Sequence, residues 1–375
     1  MGLKSKEKSE LRVAIIGGGI GGAAAAVALR KQGIRVEIYE QASVLAEVGA
    51  GIGMRPPTIQ LFKDWGIFEQ IEKKSCQSDY MEIMAGDGEV IIKENWPVLT
   101  DKREDNWARL IHRADLLSTL LDQIPSESIH LKHRCQSIIQ HENYAEVHFE
   151  NGHSIEVDLV IAADGIRSLI RSNLISADEP IYSGFHAYRT VVSEEDSFGM
   201  VSNENSLRIY VDGQVQVYLL PMQNRKQVSF DVTAPSADNA WRPNVTKQEI
   251  LNHLKEFHPK IQQIVENLNI EDFTCRALYD IEPLGNWSSG CVTLVGGAAH
   301  AMLHNVGQGA NQAIQDGGML AVALGESDTV AEALQRYETL RKPITTKYQE
   351  LSRVFPSVEA ETAFPEKEHF EKVLK

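Results

Sequence analysis

The fold of this chain is decided by the stretch LRVAIIGGGIGG, residues 11–22. Its apolar first half predicts a buried β-strand, and residues 20 to about 31 predict the helix that follows. Gly17 permits the tight turn from strand to helix, Gly19 lets the backbone approach a pyrophosphate, and Gly22 lets the helix pack on the strand. The N–H groups of the first helical turn then face the phosphates. The stretch therefore predicts a dinucleotide-binding βαβ unit.

An acidic residue at the end of the next predicted strand completes this pattern. Residues 35–39 form the second strand, and Glu40 follows it, twenty-three residues after Gly17. A carboxylate in this position accepts hydrogen bonds from both hydroxyls of an adenosine ribose. It favours a ribose without a 2′-phosphate, so the bound nucleotide is FAD or NAD rather than NADP. The glycines do not distinguish FAD from NAD.

Composition restricts the class of protein. The chain has 375 residues, of which 43% are hydrophobic and 24% charged, as in a globular protein large enough for two interleaved domains. A net charge of −15 without a basic stripe argues against binding to nucleic acid or to an anionic membrane. No apolar run approaches the roughly 18 residues that span a bilayer, and residues 1–10 lack the apolar core of a signal peptide. We expect a cytoplasmic monomer or homodimer.

The four cysteines are spaced too widely for a metal cluster or a disulfide framework. Cys76, Cys135, Cys275 and Cys291 form no CxxC pair. We therefore expect reduced thiols and no metal site.

The rest of the chain alternates between two kinds of pattern. A second glycine-rich loop, residues 47–53, follows the opening unit, and the apolar run 158–163 predicts a buried parallel strand that ends at Asp164-Gly165, where ligands of α/β folds bind. From Phe185 to Ala234 an alternating pattern instead predicts a separate antiparallel sheet. The remaining predicted elements are a hairpin (80–84 and 89–93), a helix (114–121), a meander (131–140, 145–150 and 154–157), strands 188–192, 207–211, 215–220 and 227–232 with a turn at Asp212-Gly213, helices 247–257 and 261–267, strand 291–295, a helix from Gly309 through Leu324, one kinked helix or two helices over 330–354, and a loosely ordered tail after Phe355.

Three separated motifs resemble the single-component FAD-dependent aromatic hydroxylases. They are GGGIGG with Glu40, Ala163-Asp164-Gly165 with the following Arg167-Ser168, and the segment GGAAH through GQGANQ, residues 296–312. The resemblance covers nearly the whole chain. It is closest to the salicylate hydroxylase and 6-hydroxynicotinate 3-monooxygenase branch, on the segments GGAAAAVALRKQG (21–33), VGAGIGMRPP (48–57) and EPIYSG (179–184).

The resemblance implies an α/β fold with a glutathione-reductase-like FAD-binding domain, an inserted antiparallel β-sheet substrate domain and C-terminal helices. The implied limits are 11–78, 109–180 and 276–328 for the FAD-binding domain, 79–108 and 181–275 for the substrate domain, and 329–375 for the C-terminal region. The implied reaction uses NAD(P)H and O2 to hydroxylate a planar, phenol-like aromatic or heteroaromatic substrate through a flavin C4a-hydroperoxide. Such chemistry needs water exclusion, an oriented substrate and sometimes a base for the phenolic proton.

The resemblance also implies a noncovalent FAD site. Gly17, Gly19 and Gly22 would contact the pyrophosphate and Glu40 the ribose, while Arg113 would reach the phosphate and ribityl region. Asp164 and Gly165 would serve both FAD and the nicotinamide nucleotide, whether NADH or NADPH. The other implied flavin contacts are the loop Gly49 to Gly53 with Gly51, then Gly297, and the positive end of a helix near Gly307, Gly309 and Ala310.

Three positions depart from the family pattern. Gly297 stands where the family has an aspartate that holds a ribityl hydroxyl, and losing one charged hydrogen bond, roughly 1.5 to 3 kcal/mol, weakens FAD binding about 10- to 150-fold if nothing replaces it. His304 stands in place of a proline beside the flavin. Gly53 stands where the hydroxynicotinate branch has a histidine, so hydroxynicotinate itself is not the expected substrate.

The candidate catalytic residues each have a competing interpretation. His304 is an active-site base or a surface-loop histidine, Tyr218 points into the substrate pocket or belongs to the core, and Arg189 pairs with a substrate carboxylate or forms a structural ion pair. Arg55 likewise holds a substrate anion or faces solvent. Two alternative functions also remain at this point, an FAD-dependent oxidase or reductase and a catalytically impaired flavin-binding relative.

Overall fold

The computed structural model describes residues 10–45, 50–96, 108–201 and 206–364. The strands are β1 (Val13–Ile16), β2 (Val36–Tyr39), β3 (Gly51–Met54), β4 (Ser75–Ser78), β5 (Tyr80–Ala85), β6 (Val90–Asn95), β7 (Ala108–His112), β8 (Ile129–His130), β9 (Cys135–Gln140), β10 (Ala145–Phe149), β11 (Ser154–Val157), β12 (Leu159–Ala162), β13 (Ile181–Ser193), β14 (Leu207–Asp212), β15 (Val215–Met222), β16 (Gln227–Pro235), β17 (Thr274–Asp280), β18 (Ser288–Ser289) and β19 (Val292–Leu294). The helices are α1 (Ile20–Lys31), α2 (Pro56–Asp64), α3 (Phe68–Lys73), α4 (Arg113–Leu121), α5 (Leu169–Leu174), α6 (Lys247–His253), α7 (Pro259–Glu266), α8 (Gly297–His300), α9 (Gly309–Glu326) and α10 (Val330–Ser352).

A six-stranded sheet forms one half of the molecule, in the order β18-β19-β12-β1-β2-β8. All neighbours in it are parallel except β18 and β19. The strands β1 and β12 are entirely buried, which explains their continuous apolar sequence. Because β1 and β12 are adjacent, the glycine turn after β1 and the Asp164 turn after β12 come together at one sheet edge.

A seven-stranded sheet forms the second half, in the order β17-β13-β16-β15-β14-β5-β6. It is antiparallel apart from the parallel pair β14 and β5. One face packs on α6 and α7 through a separate apolar core that includes Val217, Phe230 and Ile261. Two three-stranded sheets, β11-β10-β9 and β3-β7-β4, complete the architecture. The mixed α/β class and the separate antiparallel sheet are as predicted, whereas the residue limits of the two domains stay a prediction.

Small residues bring α1 and α9 into close contact. A Cβ atom added at Gly317 of α9 would lie 2.7 Å from the backbone nitrogen of Ala25 in α1, which no real side chain tolerates. The four consecutive alanines of α1, residues 23–26, are fully buried. This contact fixes the position of α9 relative to α1. The start of α9 and the glycine turn before α1 both belong to the site described below.

Three predicted elements differ in detail. The predicted 131–140 strand is interrupted because Lys132 and His133 donate backbone hydrogen bonds to the segment after β2, to the carbonyls of Ala42 and Glu40. The hairpin loop predicted at Asp212-Gly213 lies one residue later, since Asp212 still pairs with Val215. The helix predicted over 247–257 ends at His253, where the backbone tightens into turns with bonds to the third preceding residue.

The C-terminal part is more ordered than predicted. The segment 330–352 is one helix that continues through Pro343. The tail predicted to be loosely ordered instead packs on the antiparallel sheet as far as residue 364, because Phe364 is buried against Trp96, with ring centroids 4.8 Å apart. Thr362 and Ala363 also donate hydrogen bonds to Glu94. Residues 365–375 of that tail lie outside the described residues, as do residues 47–49 of the second glycine-rich loop. Among the described helices, none is both long and apolar enough to cross a bilayer.

Candidate active site

The turn after β1 shows why its glycines are needed. Gly17 has a φ of +112°, and a Cβ added there would lie 2.4 Å from the carbonyl oxygen of Ala163. A Cβ at Gly22 would lie 2.0 Å from the carbonyl oxygen of Gly17. Gly19 differs, because a Cβ there would meet nothing within 4 Å and would project into open space beside the cavities that this residue lines. The first turn of α1 has no side-chain cap, so its N–H groups are available to an anion.

Glu40 is held by the backbone through both carboxylate oxygens. Its Oε2 accepts a hydrogen bond of 2.7 Å from the Gly18 N–H, and its Oε1 accepts one of 2.8 Å from the Ala42 N–H. A carboxylate oxygen accepts more than one hydrogen bond, so capacity remains for ribose hydroxyls. Glu40 lines a cavity of about 650 Å³ that also includes Gly17 and Asp164. This cavity fits the adenosine end of a dinucleotide.

Asp164 adds an unsatisfied acceptor to the same cavity. Its Oδ2 accepts a hydrogen bond of 3.4 Å from the Ile170 N–H, while its buried Oδ1 has no partner within the described residues. Burial raises the pKa of Asp164 above its ordinary value. The next residue, Gly165, has a φ of +80°, a conformation that favours glycine. A buried acceptor without a partner, beside an open cavity, is a position that a ligand donor would satisfy.

A second cavity, of about 500 Å³, shares Gly19, Ala163 and Gly165 with the first. Its walls include Gly297, Arg113 and the first residues of α9, 309–310. The helix α9 has 18 residues and no side-chain N-cap, so the positive end of its dipole faces this cavity. The two cavities together form a continuous groove from Glu40 to the start of α9.

Gly297 leaves unfilled space in this groove. A Cβ added there would lie 3.5 Å from Gly165 Cα and from the Ile166 nitrogen, which is ordinary van der Waals contact. Its φ lies outside the left-handed region. Nothing in the local backbone therefore requires glycine at this position, in contrast to Gly17 and Gly22.

A buried charge cluster, which no sequence motif indicates, packs behind the groove. Asp316 in α9 accepts hydrogen bonds from His300 Nε2 (2.5 Å), Arg341 Nε (2.8 Å) and the Gly296 N–H (2.9 Å). Burial alone would raise the pKa of Asp316, but His300 and Arg341 together lower it to about 2. The cluster ties α8, α9 and α10 together directly behind Gly297. The cluster could not be predicted from the sequence, because residues 300, 316 and 341 come together only in the folded chain.

A third cavity, of about 270 Å³, lies between the two halves of the molecule. It contains the three candidate catalytic residues His304, Tyr218 and Arg189, together with Gly51 and Gly307. Gly51 lines it, but the added Cβ would lie 2.3 Å from Leu220 Cδ2, so packing against β15 also favours glycine there. Gly307 has a φ of +62°. The residues that line both this cavity and the central one are Arg113, Arg189, Met302, Gly309 and Ala310.

Four polar side chains form a chain of hydrogen bonds along this cavity. The Arg189 guanidinium donates to Asp231 Oδ2, Thr233 Oγ1 lies 3.2 Å from Asp231 Oδ1, and His304 Nε2 lies 3.0 Å from Thr233 Oγ1. Arg189 and Asp231 face each other across β13 and β16, and Tyr218 faces Asp231 from β15. Sequence reasoning missed Asp231 and Thr233, because only the strand register places them beside Arg189 and His304.

Burial shifts the pKa values of two ring side chains on this cavity, His304 and Tyr218. Burial lowers the pKa of His304 to about 4, with Arg189 adding to the shift and Asp231 opposing it. Its Nδ1 is buried and has no hydrogen-bond partner within the described residues. The Tyr218 ring lies 5.1 Å from the His304 ring, and burial raises the pKa of Tyr218. His304 is therefore a neutral imidazole on the cavity wall rather than a surface-loop histidine.

The remaining candidate, Arg55, lies on the cavity wall. Arg55 does not face solvent: it is 5% exposed, lines the cavity and stacks over Trp96 at 4.0 Å. Asn311, which the sequence left without a role, holds this wall in place by accepting from the Arg55 N–H and donating to the Gly53 and Gly307 carbonyls.

The residues of the groove fit FAD. Gly17 and Gly22 leave no room for side chains, Gly19 opens into the groove, and the orphaned Asp164 oxygen and the bare N-terminus of α9 face it. Comparison with known proteins decides the family: a family model described as an FAD binding domain matches residues 10–352.

The chain belongs to this family.

Relatives over most of its length are monooxygenases of aromatic compounds. A 3-amino-4-hydroxybenzoate 2-monooxygenase of Streptomyces platensis is 30% identical over 346 residues, covering 91% of this chain and 87% of the relative. A 6-hydroxynicotinate 3-monooxygenase of Pseudomonas fluorescens is 28% identical over 351 residues, covering 91% and 90%. The structure of HpxO from Klebsiella pneumoniae, with FAD and uric acid, superposes with a TM-score of 0.84 at 22% identity, covering 98% of this chain and 93% of HpxO. The predicted resemblance is confirmed, and this family member is an FAD-dependent monooxygenase.

Proposed function

We propose that this monooxygenase hydroxylates a planar, phenol-like aromatic or heteroaromatic substrate in the cavity of about 270 Å³, and that His304 accepts the phenolic proton. One observation carries the proposal: His304 lies on the wall of a small cavity that shares residues with the FAD groove. The groove residues would hold FAD, which would supply hydride acceptance from NAD(P)H and activation of O2 for transfer to the ring. The protein binds and orients the substrate, excludes water and holds the proton.

The FAD contacts proposed here are those of the groove. Gly17, Gly19 and Gly22 admit the pyrophosphate, and Glu40 accepts from the ribose hydroxyls. Arg113 and Asp164 flank the central part. The residues assigned to the flavin end are Gly51, Gly165, Gly297, Gly307, Gly309 and Ala310. The dipole of α9 favours negative charge on the reduced ring.

The hydrogen-bond chain determines which nitrogen of His304 is free. A carboxylate only accepts, so the single Thr233 O–H donates to Asp231 Oδ1, and Thr233 Oγ1 is then left to accept from His304 Nε2–H. The tautomer that results has its lone pair on Nδ1, the atom without a partner within the described residues. Because the pKa of His304 is about 4, this lone pair is unprotonated at neutral pH. Once Nδ1 takes a proton, Asp231 stabilises the imidazolium through Thr233.

The substrate class follows from the cavity wall and from the relatives. Arg189 is paired with Asp231, and we assign Arg55, which also lines the cavity, to an acidic substituent of the ring. The hydroxybenzoate and hydroxynicotinate named for the relatives carry such a carboxylate. The net charge of −15 and four free thiols support a cytoplasmic protein, and we propose a monomer or homodimer.

The proposal is tested by a substrate screen followed by two threonine variants. Purified, FAD-loaded enzyme is mixed with neutral and carboxylated phenols and hydroxypyridines, while NAD(P)H consumption and hydroxylated product are both measured. We expect stimulated consumption with product from at least one carboxylated ring. Consumption that no aromatic compound changes would instead favour the oxidase or impaired-relative alternatives.

With a substrate in hand, Thr233→Val removes the hydroxyl that orients His304, whereas Thr233→Ser keeps it. We expect Thr233→Val to lower the rate of product formation about 10- to 100-fold, less than the roughly 100- to 10,000-fold that a general base contributes, because the base itself remains, and to alter its pH profile. Thr233→Ser should behave like the parent. If both variants keep the parent rate and pH profile, His304 is not the base.

A further inference from the structure

The segment 355–364 packs against two parts of the wall of the proposed substrate cavity, and we call it the strap. At its start, the Phe355 ring packs on a small apolar cluster that contains Leu303. At its end, Phe364 belongs to an apolar cluster that contains Tyr218. Because Leu303 and Tyr218 both line the cavity of about 270 Å³, the strap lies directly behind residues that a substrate would contact.

Hydrogen bonds fix the end of the strap on β6. Glu94 Oε2 accepts one from Thr362 Oγ1 at 2.7 Å and one from the Ala363 N–H at 3.0 Å. The Phe364 N–H donates to Thr362 Oγ1 at 3.1 Å. The side chains of Ala363 and Phe364 are both buried. The Phe364 ring is therefore held in one place by the backbone that carries it.

The Phe364 ring holds Trp96, and Trp96 in turn holds the guanidinium of Arg55. The ring centroids of Phe364 and Trp96 lie 4.8 Å apart, and the indole N–H donates to Ser78 Oγ at 3.2 Å. The Arg55 guanidinium carbon lies 4.0 Å from the Trp96 ring centroid and 5.9 Å from that of Phe364. Aromatic faces attract a guanidinium through the ring quadrupole. The two rings thus set the position of the cation.

Arg55 presents its guanidinium to the cavity from this aromatic support. The residue is 5% exposed and lines the cavity wall. Its Nη2 donates to the Val306 carbonyl at 3.2 Å, which fixes one edge of the planar group. A guanidinium matches a carboxylate with two parallel hydrogen bonds. Because the arginine is ordered before the substrate arrives, binding a carboxylate costs less side-chain entropy.

We propose that the strap determines substrate specificity, with Phe364 and Trp96 as positioning residues that hold Arg55 for the carboxylate of an aromatic substrate. This inference rests on the proposed function and deepens it, because it assigns the selection of acidic rings to one segment of the chain. That segment is separate from the hydrogen-bond chain of His304. It also lies beyond residues 10–352, the part that the family model matches.

The first test measures ligand binding without turnover. FAD-loaded parent, Phe364→Ala, Trp96→Leu and Trp96→Phe are titrated with benzoate, 3-hydroxybenzoate and nicotinate, and with the uncharged amide of each acid, while flavin absorbance is followed. We expect Phe364→Ala and Trp96→Leu to raise the Kd of the acids about 5- to 30-fold, as for the loss of one desolvated cation–π contact, and to leave the Kd of the amides unchanged. Trp96→Phe keeps an aromatic face and should lose less. Val358→Ala, at a strap residue that is 46% exposed, serves as the matched control.

The second test needs no ligand. In the NMR spectrum of the parent, the Nε–Hε resonance of Arg55, assigned with Arg55→Lys, should be shifted upfield by the ring current of the Trp96 indole. We expect this shift to shrink in Phe364→Ala and to persist in Val358→Ala. An Arg55 resonance that does not move in Phe364→Ala would overturn the positioning role.

The remaining outcomes separate the inference from the proposed function. Equal losses for acids and amides would mean that the strap only supports the cavity wall, and would overturn the inference. A parent that binds amides as tightly as acids would also overturn it, while hydroxylation of an uncharged ring would still stand. A parent that binds none of the six compounds would contradict the proposed substrate class, and the inference with it.

Discussion

Restoring the missing aspartate at position 297 should tighten FAD binding. Gly297 lines the central cavity and begins α8, where a carboxylate also meets the positive end of a short helix. The added Cβ would lie 3.5 Å from Gly165 Cα and the Ile166 nitrogen, so Gly297→Asp fits without displacing backbone. The reasoning therefore predicts a change in ligand affinity and not in folding.

The magnitude is that of one charge-assisted hydrogen bond. Such a bond contributes roughly 1.5 to 3 kcal/mol, which corresponds to about 10- to 150-fold in Kd. Asp164 directly precedes Gly165, which a side chain at position 297 would contact. Repulsion between the two carboxylates therefore places the expected gain in FAD affinity at the lower end of that range.

The assay is fluorescence titration of FAD-free protein with FAD. Gly297→Asn supplies a hydrogen bond without charge and should tighten binding by less, about 2- to 13-fold for 0.5 to 1.5 kcal/mol. Gly297→Ala supplies only the Cβ and should leave the Kd unchanged. The reasoning is refuted if Gly297→Asp leaves FAD affinity as it is, or if Gly297→Ala tightens it equally.

Three further predictions concern titratable groups elsewhere in the site. Glu40→Gln keeps one oxygen acceptor but loses the charge, so FAD content after purification should fall while the melting temperature changes little; equal flavin content would remove Glu40 from the site. Asp316→Asn leaves the buried Arg341 guanidinium without its carboxylate partner and should lower the free energy of unfolding by about 3 to 5 kcal/mol in urea, and a loss below about 1 kcal/mol would contradict the role of the cluster. Because the folded-state pKa of His304 is about 4 against an ordinary 6.5, stability should be complete above pH 6.5 and fall by up to about 3 kcal/mol towards pH 4, and His304→Gln should remove that part of the pH dependence. Asp316 contributes its own loss only below its ordinary pKa of 3.8, so the two pH windows are separate.

Local sequence predicted the strand, turn and helix that begin the groove. The strand, the turn and α1 follow one another within residues 13–31, and the constraint on Gly17 comes from its immediate neighbours in the sheet. The burial of β12 and its ending at Asp164 were predictable for the same reason, since a continuous apolar run of that length specifies a buried strand.

The substrate end could not be predicted in the same way. Asp231 and Thr233 lie on an ordinary alternating strand, and only the register of β13, β15 and β16 places Arg189 and Tyr218 beside Asp231. His304 reaches Thr233 from the distant segment before α9. A slip of one residue would turn the strand side chains to the other face.

The tail was mispredicted because its composition is polar. The segment after Phe355 has few apolar residues, yet Phe364 buries its ring against Trp96, which in turn stacks on Arg55. One aromatic residue is enough to fix a short segment when a complementary pocket exists, and a sequence pattern does not show that pocket.

The most direct test of the proposed function uses ¹⁸O2. The FAD-loaded enzyme is supplied with NAD(P)H and the aromatic compound that most stimulates its oxidation, and the product is analysed by mass spectrometry. The account predicts one ¹⁸O atom in each hydroxylated molecule and close to one NAD(P)H consumed for each product formed. It is contradicted if every tested phenol and hydroxypyridine is recovered unchanged while NAD(P)H oxidation yields only hydrogen peroxide.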